Sequence, residues 1–275
     1  MLLTLDVGNT NTVLGVFRGK ELVAHWRLTT APHQTIDEYG ILTRNLFTLA
    51  GLEPGEIGGI IISSVVPPLN RILAEMSHIY FGRKPLFVEP GIKTGMAVLV
   101  DNPLEVGADR IVNGVAAFER YGGPCIVVDF GTATTLDVIS ARCEYLGGVI
   151  TPGLGISAEA LFAHAARLPR VEIKNPGKVI GTNTIAHMQA GLYYGTLDMV
   201  DGLLSRMKAE IGGPAKVIAT GGFSSLLAAG SKHIEHTDDF LTLEGLRIIW
   251  ERNEADAQER ATAPANMPAS VRPRK

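Results

Sequence analysis

The sequence predicts an α/β protein whose chain doubles into two similar lobes facing one cleft. The first observation is an internal repeat. Leu5-Asp6-Val7-Gly8-Asn9-Thr10-Asn11-Thr12-Val13 aligns without gaps to Val128-Asp129-Phe130-Gly131-Thr132-Ala133-Thr134-Thr135-Leu136. Each copy is an apolar strand, an aspartate, a glycine, a polar turn and a second apolar strand. The copies sit near the starts of two halves, which is no solenoid period. The second observation is that strand-length apolar runs alternate with stretches of helical periodicity. The third is bulk: 275 residues, 46% of them hydrophobic, supply a core for one large or two modest domains. The expected division is 1–115 and 116–253. Residues 254–275 turn to Ala, Pro, Arg and Glu without periodicity and read as a disordered tail.

Each element follows from local pattern. Leu2–Val7 and Thr12–Phe17 flank Gly8-Asn9-Thr10-Asn11, a turn of residues that tolerate positive φ, so they form a β-hairpin. Glu21–Thr29 continues as a third strand. Asp37–Leu49 repeats Tyr39, Leu42, Leu46 and Leu49 at helical spacing. Gly59–Ser63 is a short buried strand that runs into Ser64–Pro68, Leu69–Phe81 is a helix and Pro85–Val88 a strand. Gly107–Tyr121 is helical, Cys125–Asp129 and Thr134–Ile139 are strands, and Gly147–Gly155 is a glycine-rich stretch. Ile156–Ala166 and Thr184–Ile211 are helices, the second interrupted by Gly191, Gly195 and Gly202. Lys216–Thr220 is a strand, and a helix opens at Ser224.

Several function classes are excluded. A net charge of −3 with both signs mixed leaves no basic footprint for nucleic acid and no polybasic membrane signal. Met1–Gly8 is interrupted by Asp6 and lacks a positive flank, so it is neither a signal peptide nor a membrane span. Cys125 and Cys143 form no CxxC pair and read as reduced thiols of a cytoplasmic protein. The histidines show no metal-binding spacing. There is no Walker motif, kinase glycine loop or Gly-x-Ser-x-Gly elbow.

The chemistry concentrates in the repeat. An aspartate ending a buried strand can hold hydrated Mg²⁺, and the turn after it offers backbone N–H, Thr and Asn groups to phosphate oxygens. One copy is an ordinary capped hairpin; two facing one cleft make a nucleotide site, with Asp6 and Asp129 as candidate cation ligands and Thr132 as a phosphate donor, while Asp129 also reads as a buried strand-end carboxylate satisfied by turn amides. Asp109 opens a helix with Arg110 beside it. The pair suits a base that takes a hydroxyl proton next to a guanidinium that anchors an acid, and it equally suits a first-turn acid with a solvated neighbour. Thr220-Gly221-Gly222-Phe223 reads as a common strand-to-helix turn.

These motifs, with Asn102-Pro103, Gly107-Ala108-Asp109-Arg110, Gly147-Gly148 and Pro152-Gly153, closely resemble the type III pantothenate kinases in order from Met1 to about Trp250. The resemblance implies an actin-like fold of the acetate and sugar kinase superfamily, and phosphorylation of pantothenate by ATP at the start of coenzyme A synthesis. It implies ATP phosphates at Asp6, Val7, Gly8, Asn9, Thr10, Asn11, Thr12, Val13 and Thr132, and a catalytic base at Asp109. It implies pantothenate at Gly107, Ala108, Asp109 and Arg110, and potassium or ammonium at Asp129. It further implies a homodimer in which Thr184 reaches the partner's pantothenate site. Val100 stands where many members carry an aromatic residue. Two alternatives share the scaffold: a non-catalytic transcription-linked accessory protein, and a kinase for another small hydroxy acid.

Overall fold

The computed structural model describes the backbone of residues 1–262 and side chains through Ala255. The chain begins with three antiparallel strands, β1 (Leu2–Val7), β2 (Asn11–Arg18) and β3 (Glu21–Thr29). Helix α1 (Ile36–Leu49) starts at a capping box in which Thr35 and Glu38 satisfy each other's backbone N–H. Next come β4 (Gly59–Ser64), α2 (Pro67–Phe81), β5 (Leu86–Phe87) and β6 (Ala97–Val98). Helix α2 opens on prolines and stops at Gly82 in the left-handed conformation, φ 65°.

The second half repeats the plan. After α3 (Ala108–Tyr121) come β7 (Cys125–Phe130), β8 (Ala133–Ile139) and β9 (Glu144–Pro152). Helices α4 (Leu154–His164) and α5 (Thr184–Ile211) follow. Then come β10 (Lys216–Thr220), α6 (Ser224–Ala228), β11 (His236–Thr237) and α7 (Leu241–Thr262). The first sheet has the order β3-β2-β1-β4-β5, and the second β11-β10-β7-β8-β9-β6. Read from its third strand, each sheet has one topology: an antiparallel meander followed by two parallel strands. The duplicated, actin-like architecture implied by the resemblance is therefore present.

Period-two alternation divides the side chains between three cores. On β1, Leu3, Leu5 and Val7 face outward to α1 and α2, while Leu2 faces inward. On β7, Ile126, Val128 and Phe130 face outward to α5, while Cys125 and Val127 face inward. Between the sheets lie α3 and α7, which contribute Ile111, Val112, Val115, Leu243, Leu246 and Ile249 to the inner core. Their close crossing needs Gly245, where an added Cβ would lie 2.2 Å from the Val112 carbonyl oxygen. Asp6 and Asp129 continue the inward-facing series of their strands, so alternation alone turns both toward the space between the lobes.

Two expectations change. The glycine-rich stretch from Gly147 is the strand β9; a Cβ at Gly148 would meet the Leu136 carbonyl oxygen at 2.0 Å, so glycine there permits close strand approach. The tail expected to be disordered from Glu254 is helical as far as Thr262, because Ala255, Ala257, Gln258, Glu259 and Arg260 are helix formers even without an apolar face. Residues 263–275 lie outside the described residues. Residues 115 and 116, where the two lobes are expected to divide, are consecutive within α3.

Candidate active site

The site is built on two rows of side chains. In the first sheet, Ser63, Asp6, Val13 and Arg27 stand in register across β4, β1, β2 and β3. In the second sheet, Thr220, Asp129, Thr135 and Ile150 stand in register across β10, β7, β8 and β9. Residues paired in register share a face, so each row lies on the inner side of its sheet. The two hairpin turns meet at their tips, where Thr10 Oγ1 and Thr132 Oγ1 are 2.8 Å apart. Behind that contact is a cavity of about 130 Å³ lined by Asp6, Gly8, Asn11, Val13, Asp129, Thr132 and others. It adjoins a second cavity of about 470 Å³ bordered by His25, Phe240, Ser224 and the Gly221-Gly222 turn.

Helix α3 delivers Asp109 into the first cavity from its first turn. Its Oδ1 accepts the Arg110 backbone N–H at 2.8 Å. A Cβ at Gly107 would stand 2.5 Å from that oxygen and displace the carboxylate. Burial raises the proton affinity of Asp109, partly offset by the Arg110 N–H. Asp129 is pushed up to about 7, by burial first and then by the Asp109 charge, while the Asn113 amide, donating at 3.1 Å, pulls it down. Asp6 lies well above the usual carboxylate range, by burial and then by Asp109 and Asp129. Carboxylates gathered in a desolvated cleft favour a bound cation.

The donor set fits hydrated cations. Ser63 stands in register beside Asp6, and its hydroxyl eases the raised proton affinity of that carboxylate. No three Asp, Glu, His or Cys side chains among the described residues converge as a ready metal cage. A cation here would be held by one or two carboxylates with water and phosphate oxygens completing its shell, the habit of Mg²⁺.

Arg110 is oriented by neighbours that sequence reasoning missed. Its Nε and Nη2 donate to Asp137 Oδ1 at 2.8 and 2.6 Å. Tyr145 donates its hydroxyl to the same oxygen at 2.7 Å, and Thr135 donates to Oδ2 at 3.1 Å. Asp137 is 1% exposed, so this is a buried, fully bonded pair that leaves only the Nη1 edge of Arg110 for a ligand.

The structure thus brings Asp6, Gly8, Asn11, Val13, Asp109, Asp129 and Thr132 to one cavity. Gly107 and Ala108 border a neighbouring cavity of about 670 Å³. Val7 packs in the outer core, and the Thr12 hydroxyl bonds Thr30 at 2.9 Å, so neither presents its side chain to the cleft. Asn9 is exposed at the turn. Thr184 is exposed at the start of α5, which Asn183 caps, and it does not line its own chain's cleft. The Gly221-Gly222 turn, read as an ordinary connection, lines the cleft; Gly221 has φ 90° and a Cβ there would stand 2.5 Å from Asp129 Oδ1. Arg27, Asn113, Asp239 and Thr242 were also missed. An exposed arginine at an edge-strand position carries no sequence signal, and Asn113 looks like any polar residue on a helix.

A phosphoryl-transfer enzyme of the actin-like class is the protein that this duplicated scaffold and acidic cleft define. The type III pantothenate kinase family matches residues 2–206. A type III pantothenate kinase of Koribacter versatilis is 62% identical over 94% of this chain and 98% of its own length. Another from Myxococcus xanthus is 59% identical over 93% of this chain and 100% of its own. The chain belongs to the type III pantothenate kinase family and is a kinase. Solved structures share the fold at low identity. A Baf family transcriptional activator from Campylobacter jejuni matches with TM-score 0.59 and 21% identity, covering 92% of this chain and 99% of that one. The activator of 2-hydroxyisocaproyl-CoA dehydratase from Clostridium difficile, with bound ADPNP, matches with TM-score 0.55 and 13% identity, covering 98% and 99%.

Proposed function

We propose that this enzyme transfers the γ-phosphoryl group of ATP to the primary hydroxyl of pantothenate, giving ADP and 4′-phosphopantothenate, the first step of coenzyme A biosynthesis. The observation that carries the reading is Asp109, a carboxylate of raised proton affinity set in the wall of the cavity between the two hairpin turns. Asp109 accepts the hydroxyl proton as the oxygen attacks γ-phosphorus, and a carboxylate is basic enough because phosphoryl transfer has a loose transition state. The hairpin residues Gly8, Asn11 and Thr132 hold the phosphates. Asp6 holds hydrated Mg²⁺, which neutralises charge on the phosphate oxygens when bound. Asp129 takes a monovalent cation, potassium or ammonium, that offsets its repulsion with the triphosphate. Arg110, aimed by Asp137, meets the pantothenate carboxylate through its free edge.

The catalytic unit is a homodimer in this reading. Ile150, Ile156, Leu161, Phe162, Ile180 and Ile185 are exposed apolar residues around β9, α4 and the start of α5, where Thr184 also stands. A two-fold contact there would bury them and carry Thr184 to the other subunit's pantothenate site. Sedimentation at assay concentration reads this directly, and a monomer rules it out. Residues 1–115 and 116–253 act as lobes that meet along α3 and α7, a division that domain-resolved hydrogen exchange would test. Free Cys125, its thiol pushed up to about 12 by burial, and Cys143 suit the cytoplasm, which cell fractionation would verify. Among the described residues no helix is long and apolar enough to cross a membrane.

The deciding experiment is a coupled ADP-release assay over a panel of hydroxy acids including pantothenate, on wild type and Asp109→Asn. Pantothenate should be the preferred acceptor, and the variant should keep its fold and ATP binding while kcat falls by about 10²–10⁴. Preference for another acid overturns the substrate, and near-wild-type turnover in the folded variant overturns the base.

A further inference from the structure

The first row ends in a cation without a partner. Arg27 stands in register with Val13, and Val13 with Asp6, so the three side chains leave one face of the sheet and line the cleft together. Arg27 has no hydrogen-bond or ion-pair partner among the described residues. That is unusual in its surroundings, because Asp6, Asp109, Asp129 and Asp239 border the same cavity. Its charge reaches Asp6 and Asp129 only at longer range, where it eases the proton affinity of both.

The guanidinium also spans the lobes. A Cβ added at Gly222, on the turn after β10, would stand 3.5 Å from Arg27 Nη1. Arg27 borders both the chamber behind the hairpin turns and the larger chamber by His25, Phe240 and Ser224. Among the described residues lining those two chambers it is the one lysine or arginine. A nucleotide with its terminal phosphate at the hairpins and its nucleoside in the larger chamber must pass its phosphate chain through the neck where Arg27 stands. Carboxylates and polyphosphate repel one another strongly away from bulk water, and a guanidinium fork matches a pair of phosphate oxygens.

We propose that Arg27 is a phosphate-binding residue, donating to the non-bridging oxygens of the nucleotide's phosphate chain between the nucleoside and the γ-phosphate. The proposal rests on the nucleotide reading of the cleft given above. Those inner phosphates belong to ATP and ADP alike. The contact therefore acts in the ground state and the transition state together, raising affinity more than turnover.

The test is calorimetric titration of the full chain with ATP, ADP and adenosine in the presence of Mg²⁺, for wild type, Arg27→Gln and Arg27→Lys, with steady-state kinetics alongside. Arg27→Gln should weaken ATP and ADP together by about 10- to 100-fold, the range for a lost hydrogen bond to a charged group. Adenosine binding should stay unchanged, KM for ATP should rise more than kcat falls, and Arg27→Lys should recover part of the loss. The side chain is exposed, so melting temperature should be unaffected. Unchanged ADP affinity in a folded Arg27→Gln overturns the proposal and leaves the kinase reading standing, as does a loss confined to ATP, which would move the contact to the γ-phosphate. A wild-type protein that binds none of the three overturns the nucleotide reading, and the proposal with it.

Discussion

The rows Ser63–Asp6–Val13–Arg27 and Thr220–Asp129–Thr135–Ile150 occupy the same places in two sheets of the same topology, yet they differ at both outer positions. The hydroxyl and the aspartate are kept in both. Beyond the aspartate, the first lobe places a valine and then an arginine. The second places a threonine that bonds Asp137, then an isoleucine that is 63% exposed. The first lobe thus places an arginine at the cleft, while the second places a threonine beside the Arg110–Asp137 pair and an exposed isoleucine toward the edge of its sheet. The split begins in the turns. Val7 pairs with Thr12 in the first hairpin, but Phe130 pairs with Thr134 in the second, so the second connection is one residue shorter. The gapless alignment matches Val13 to Leu136, whereas the structural counterpart of Val13 is Thr135.

The strongest way to break the comparison is to neutralise each aspartate in turn. Asp6→Asn should cut kcat by roughly 10²-fold or more, as expected when several kcal/mol of metal-ion stabilisation is lost. Asp129→Asn should act differently, removing the advantage of potassium over sodium. Rates measured in the two salts after ammonium is removed decide it, and identical behaviour of the variants would mean that the rows are functionally equivalent.

A smaller effect is expected one residue further along β4 and β10. Gly221→Ala places a side chain at φ 90° and against Asp129, so it should lower stability by about 1–3 kcal/mol in urea unfolding. Its counterpart Ser64, whose Oγ accepts the Val66 N–H at 3.2 Å, should cost under about 1 kcal/mol when changed to Ala. Equal losses would show that the second lobe does not depend on the closer approach.

The last contrast concerns pH. Folding raises the Asp129 value from 3.8 to about 7, so between those limits the native state holds more protons than the unfolded chain. The stability from the protonated form is complete below the lower value and lost as pH rises through the upper one. Asp6 acts in the same direction. Without cation or nucleotide, melting temperature should fall between roughly pH 5 and pH 8, and Asp129→Asn should flatten the slope. An unchanged slope would place the titration elsewhere.

Much of this was legible in the sequence. The repeat located both hairpins and both aspartates, because strand, turn and charge all announce themselves locally. Helix α5 was readable end to end. Helix α7 was not: its early part is packed between two sheets with Glu244, Arg247 and Glu251 paired along one stripe, and its later part lacks an apolar face. Arg27 and Asp137 were hidden because their meaning comes from register and from partners far away in sequence. The Gly221-Gly222 turn looked ordinary because the group it approaches, Asp129, belongs to another strand.

The Thr10–Thr132 contact has a kinetic consequence. It ties the two hairpin turns together beside the chamber of about 130 Å³ into which a phosphate would reach. A hydrogen bond between two exposed hydroxyls contributes about 1 kcal/mol, a population ratio of only about five to one. The clasp therefore yields to thermal motion, and the hydroxyls it releases become donors for whatever arrives. Parting the two turns there costs one weak hydrogen bond, which contacts to phosphate would replace.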